Sequence, residues 1–376
     1  MSKSIIAGLV ALTCACTLSA QRPVVTVGGI NPNHTDLPQA IAAAAPGSIV
    51  EVRPGTYTGF TCQKALRVVL TNATVNPPAG ANYTIRVENI AGSDPFVIRG
   101  VATLIESGVL GAMSVSNVQA PVIIEKVTLL GDLQQAALQV LNSGSVHVAR
   151  AILIGDPALD AQFCNFISTE NLIGNSDGAG AVISDSSLDS ARTVYVGTDE
   201  PALRISDTDA RLASDGSSGM FVIGSGLAPV SAFEAFDSDI NWTPSLFQLG
   251  PANGAPALSA QTTTEVIEDV PMLNAGPAVL GGTAVVRMTS ETQMFGAIAM
   301  NSLLATPISL PLGRFYINPL SFVMVGTGFV GTAGLQFNVS IPNDPTLRGE
   351  VFAFQGLTFL LDGSIPLSGP ALWYIE

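Results

Sequence analysis

"DLPQAIAAAAPGSIVEVRPGTYTGF", residues 36–60, is the stretch on which the fold turns. Leu37, Ala40, Ile41 and Ala44 fall at i, i+3, i+4 and i+7, which predicts one apolar helical stripe, with Thr35 or Asp36 as N-cap and Pro46-Gly47 as stop. In "IVEV", Ile49 and Glu51 point to one side and Val50 and Val52 to the other, so a four-residue strand turns a wholly apolar face inward. Gly55 then supplies a turn and Tyr57 opens the next edge. A strand this short buries no core alone. It reads as the first rung of a stack of coils, with the helix laid across the open end, where unpaired backbone groups would otherwise be exposed.

Working outward, a phrase of apolar residues ending in glycine recurs: "ILIG" closing at Gly155, "NLIG" at Gly174, "VYVG" at Gly197 and "FVIG" at Gly224, at intervals of 19, 23 and 27 residues. A second phrase, "ISDS" from Ile183 and "ISDT" from Ile205, repeats after 22. Recurrence near one length, with loops absorbing insertions, is the mark of a solenoid. The runs between are short, alternating and rich in Val and Ile, so the unit is strand and turn, not helix. Roughly ten coils fit between residues 46 and 245 at that period.

The opening segment resembles that of secreted right-handed parallel β-helix proteins of the pectin-lyase-like class, specifically over residues 34–60 and in texture through about residue 245. What the resemblance implies is the fold, since that class includes lyases, hydrolases, esterases and many proteins of no known activity. Its catalytic motifs do not transfer. Gly55, Thr56 and Tyr57 match the G-x-Y start of pectin esterases, but their Asp-Phe-Ile-Phe-Gly signature is absent, "CNFIST" at 164–169 being the nearest. The adjacent Asp pair and Gly-His-Gly of polygalacturonase-like members and the Trp-Ile-Asp-His run of pectate-lyase-like members are also missing.

Domain limits follow from texture. Residues 1–20 place Lys3 before an apolar run from Ile5 to about Leu18 and then small residues, the layout of an export signal cleaved after Ala20. That run falls short of the ~20 residues that cross a bilayer, and no later stretch is apolar for long enough. The β-helix is expected over 21–245, a Pro-, Gly- and Ala-rich linker over 246–262, and a small β-sandwich of wider-spaced strands over 263–376. The expected class is therefore all-β: a right-handed parallel β-helix capped by a short N-terminal helix and followed by a sandwich, secreted or held at the cell surface.

Charge narrows the partners. Fifteen Lys and Arg against 29 Asp and Glu leave −14, so no phosphate-tracking surface can be assembled and nucleic acid is not an expected partner. Glycans or surface proteins remain. Between 151 and 240 there are 14 acidic residues against Arg192, Arg204 and Arg211. Asp185 and Asp207 hold the same place in phrases one coil apart, so stacking sets them ~5 Å from each other. Two readings give these acids chemistry: Asp185, Asp189, Asp207, Asp209 and Asp215 as Ca²⁺ ligands, the only cofactor the sequence suggests, or Asp185, Asp207 and Asp209 as catalytic carboxylates. A third makes them corner residues whose side chains cap turn amides.

His147, in "SVHVAR", faces away from Val146 and Val148 as a satisfied or solvent-facing strand residue. Cys62 and Cys164 lie four to five coils apart, roughly 20 Å, so they are expected as separate thiols in apolar surroundings. Trp242 and Trp373 are read as packing residues. The combined expectation is an exported structural or binding protein recognising glycans along the β-helix, with a polysaccharide hydrolase or lyase as the alternative.

Overall fold

The computed structural model describes residues 21–376 except 133, 175–177, 214–220, 225–230, 244–257, 268–269, 291, 293, 311–312, 332 and 361–364. The proposed export signal and Asp215 lie outside the described residues.

Short strands stack in parallel register along most of the chain and form three walls. The first runs from Val24–Val27 to Thr264–Ile267 and contains eleven described strands. The second runs from Gly55–Thr58 to Phe221–Gly224, and the nine-stranded third from Phe60–Cys62 to Leu258–Gln261. Phe96–Ile105 and Val122–Leu130 each serve both the first and second walls, with a register shift after Glu125. Alternation decides what faces inward: Val50, Val68, Ile98, Ile124 and Val148 stack as one fully buried column. Ile85, Met113, Leu138 and Leu159 form another from the third wall.

The N-terminal lid is present. Leu37–Ala43 is helical, Asp36 is the N-cap, and its carboxylate accepts from the Leu37 and Thr58 amides, both at 2.8 Å, so one side chain ties the cap to the first coil. Leu37, Ala40, Ile41 and Ala44 are buried in the core.

The glycine phrases close strands of the second wall on successive coils. Gly197 pairs with Gly224, and Gly174 stands one residue early, opposite Ile154 and Val196. A Cβ on Gly197 would lie 2.5 Å from the Glu200 carbonyl oxygen, which is why only glycine fits that bend.

Corners have their own rule. Between the third and first walls stand Asn89, Asn117, Asn142, Phe163, Asp185, Asp207, Asp237 and Thr262, all with φ between +45° and +56°. Asn and Asp tolerate that left-handed conformation best after glycine. At five of these eight corners the next residue supplies a hydroxyl: Ser143, Ser186, Thr208, Ser238 and Thr263 each donate to the carbonyl two residues back, at 2.6 to 3.0 Å. Ser186 and Ser238 also accept from the Cys164 and Thr208 amides one coil earlier, both at 3.2 Å.

The β-helix ends later than the sequence reading placed it. Leu258–Gln261 and Thr264–Ile267, assigned to the linker and to the start of the next domain, pair in parallel with Phe233–Phe236 and Asp239–Trp242 as the last described coil. Beyond it the pairing turns antiparallel. One sheet joins Met272–Ala275, Thr283–Thr289 and Leu335–Ser340. A second joins Val323–Val330, Met294–Asn301, Val351–Phe359 and Ala371–Tyr374. Val286, Met288, Ile298, Phe354 and Trp373 fill one core between them. A hairpin, Leu303–Leu310 with Gly313–Ile317, projects from this C-terminal module.

The module lies against the first wall. Outward-facing Ile167 packs with Leu303, Tyr316 and Ala353, and outward-facing Val97 and Ile123 pack with Tyr374. Ion pairs flank these patches: Arg22 with Glu350 at 2.7 Å, Arg348 with Glu51, and Arg99 with Glu376.

A candidate site: the polar cleft beside the hairpin

On the outer side of the first wall, one column reads Ile123, His147, Ile167, Asp189, Arg211 and Asn241 on successive coils. Its charged pair, Asp189 and Arg211, follows Ile167, which packs against Leu303 and Tyr316 of the hairpin. Arg314 and Tyr316 of the hairpin reach Asp189: Arg314 Nη1 lies 3.1 Å from Asp189 Oδ2, and the Tyr316 hydroxyl donates to the same oxygen. Arg211 Nη1 stands 3.7 Å from Asp189 Oδ1, and its Nη2 donates to the Leu367 carbonyl. Asp189, Arg211 and Arg314 are at most 5% exposed. Burial and the neighbouring Asp189 push the Tyr316 hydroxyl well above its ordinary pKa, so it remains a donor.

Of this group Arg211 and Arg314 line a cleft with about 370 Å³ of open volume. Asp209, Asp239 and Thr264 are partners in register on three consecutive coils, ~4.8 Å apart, and form one edge. Ser309 and Gly313 of the hairpin form the other, and Asn241 lies between. Arg314 pairs with the Asp209 carboxylate, which is 54% exposed, and donates to the Asp209 carbonyl at 2.8 Å. Arg211 Nη1 has no hydrogen-bond partner despite its burial. The cleft therefore offers a row of carboxylate and hydroxyl acceptors, a set suited to a polyhydroxylated ligand.

The sequence-selected acids do not converge. Asp185 and Asp207 are one coil apart, as expected, but they occupy exposed left-handed corners, where their amides complete the ladder to Ser206 and Phe236. Asp189 and Asp209 face outward from the first wall instead. Among the described residues no group of three or more His, Cys, Asp or Glu is placed to hold a metal ion. Only Asp209 of the catalytic candidates lines the cleft. Asp239 and Arg314 went unselected. For Asp239 a signal existed: "DSD" at 237–239 repeats "DTD" at 207–209 and stacks on it in register.

His147 is neither satisfied nor solvent-facing. It is 2% exposed beneath the module, with Nε2 3.2 Å from Thr169 Oγ1 and Nδ1 unpartnered. Cys62 and Cys164 are separate, buried thiols. Trp373 is a core residue of the module and Trp242 packs on the helix core.

The other walls offer less. On the third, polar side chains satisfy one another: Tyr83 donates to Gln139 at 2.6 Å, Gln139 and Gln162 donate to Asp160, and Arg204 pairs with Glu234. The second wall presents Ile152, Ile154 and Leu172, each more than a third exposed. No described helix is long and apolar enough to cross a membrane.

No protein family profile and no curated protein matches the chain. Among solved structures it is similar to the full-length tailspike protein 2 of an Escherichia coli O157:H7 bacteriophage, at 10% identity and a TM-score of 0.43, over 93% of this chain and 63% of that one. The chain thus spans less than two thirds of that tailspike. The enzymatically active domain of the same tailspike matches at 9% identity and a TM-score of 0.42, over 93% of this chain and 71% of the domain. A pectin methylesterase from Aspergillus niger matches at 11% identity and a TM-score of 0.33, over 66% of this chain and 88% of the enzyme.

Proposed function

We propose that this is an exported protein, secreted or surface-held, that binds a neutral glycan in the cleft between the last coils and the hairpin. Residues 1–20 support export, by their charged start and short apolar run. The observation that carries the binding reading is the cleft itself: Asp209, Asp239 and Thr264 repeat acceptors at the coil spacing along one edge of it. An extended chain of hydroxyl groups can donate to these acceptors in turn. The two carboxylates and the net charge of −14 disfavour an anionic polysaccharide.

Calorimetric titration against a panel of neutral and acidic polysaccharides tests the proposal. A neutral member is expected to bind, and Asp239→Ala to weaken it about 10- to 100-fold, the loss of one charge-assisted hydrogen bond. Unchanged affinity in that variant would remove the cleft from the proposal.

A second reading rests on one observation, that Asp209 and Asp239 are register partners on adjacent coils. Carboxyl groups about 5 Å apart suit a retaining glycosidase, one attacking the anomeric carbon while the other protonates the leaving oxygen. Binding is the stronger reading because Arg314 already engages the Asp209 carboxylate. New reducing ends from any bound polysaccharide, lost in Asp239→Asn, would reverse that order.

A further inference from the structure

The module covers the first wall over His147. On the wall side, Glu125, Arg150, Thr169 and Glu170 surround the imidazole; on the module side, Leu273, Asn274, Leu372, Trp373 and Tyr374 close over it. The charges nearby are already committed. Glu125 is held by Arg99 at 3.2 Å and by Arg150, and Glu170 by Arg192 at 3.0 Å and Asn274 at 2.7 Å. Arg99 also pairs with Glu376, and burial pushes the Tyr374 hydroxyl up to about 12, which keeps it neutral. The space beside it is about 30 Å³, room for one or two waters rather than bulk solvent, and His147 Nδ1 finds no partner among the surrounding side chains. An imidazolium there would have one hydroxyl contact and a guanidinium, Arg150, as neighbour.

We propose that this junction is an acid-sensitive latch: protonation of His147 is compatible only with an undocked module, so acid detaches the module from the first wall. With the module away, His147 becomes an outward-facing residue of a wall open to water. The latch is independent of what the cleft binds.

The sign follows from linkage. Burial first, and Arg150 second, lower the docked His147 to about 3, whereas an exposed imidazole titrates near ~6.5. Docking is at full strength well above ~6.5 and weakens as pH falls through it toward 3, about tenfold per unit below ~6 and ~100-fold between pH 8 and 4.5.

The chain has two histidines, so a His34→Gln background leaves His147 as the one imidazole. In that background, small-angle scattering and Trp373 emission (with Trp242→Phe) are followed from pH 8 to pH 4, alongside far-ultraviolet circular dichroism. The expected result is an expansion and a red shift below pH 6 with β-structure retained. His147→Gln, which cannot take up a proton, is expected to be docked at pH 8 and to show less than a twofold change over pH 6.5–4.5. The proposal is overturned if the variant opens over the same pH range as the parent. Should the variant not fold, the ring signal of His147 in the parent decides: titration near pH 6.5 while scattering still reports the docked form would also overturn it, and absence of titration until opening supports it.

Discussion

Phe163 stands at φ +53° and 52% exposed, in a corner column otherwise made of Asn, Asp and Thr. Its ring gains little from burial while its backbone carries the left-handed cost of a bulky residue, about 1 kcal/mol. Phe163→Asn is therefore expected to stabilise the protein by about that amount and to raise the melting temperature by about 2 °C, read by calorimetry. Next to it, burial pushes the Cys164 thiol up to about 12, with Ser186 opposing weakly, so less than one in a thousand is thiolate at pH 8. Iodoacetamide should leave Cys164 unmodified in the native protein and label it on unfolding; rapid native labelling would contradict the buried placement. Arg314 makes the opposite case. Its removal leaves Asp189, 5% exposed, with the Tyr316 hydroxyl and the more distant Arg211, so Arg314→Ala should cost about 2–3 kcal/mol, seen in denaturant titration. Nothing near Asp189 in the chain foretells this, because its partners lie 125 and 127 residues away. Local pattern shows that Asp189 faces outward, and only packing shows what it meets.

At the scale of elements, legibility followed periodicity. The cap helix, the inward Val50 and Val52 and the glycine-closed strands could all be read, because each depends on spacing within a few residues. The last coil could not. Gln261-Thr262-Thr263-Thr264 occupies the register of Phe236-Asp237-Ser238-Asp239, but threonine replaces the aspartates that marked the earlier corners. What the corner requires is a left-handed residue, most often followed by a hydroxyl, a pattern less visible than the Asp-Ser phrase. The hydroxyl ladder gives that pattern an energetic test. Thr208 Oγ1 donates to the Ser206 carbonyl at 2.7 Å inside a buried corner, and Thr208→Val keeps the shape while deleting the donor. The loss expected is about 1 kcal/mol, measured by chemical denaturation, and an equal loss in Ser238→Ala would show that the rungs are equivalent.

At the scale of the molecule, the module and the coil stack complete each other. Val97, Ile123 and Ile167 point outward from the first wall, and without the module they would be an apolar strip in water. Buried pairs such as Arg314 with Asp189 hold the register of the two parts, and neither group is tolerable alone in that setting. Unfolding either part therefore penalises the other, and at pH 8 calorimetry should show one transition for the whole chain. Lowering the pH to 4.5 weakens the contact through His147 by ~100-fold without touching the core of either part, since that imidazole lies between them. One transition should then become two, the module melting first because its shared core is the smaller. Arg314→Ala should bring the split to higher pH by removing a contact of the same interface. Two transitions already at pH 8 would mean that the coil stack and module are stable separately, and that the buried charges between them set position without supplying cooperativity.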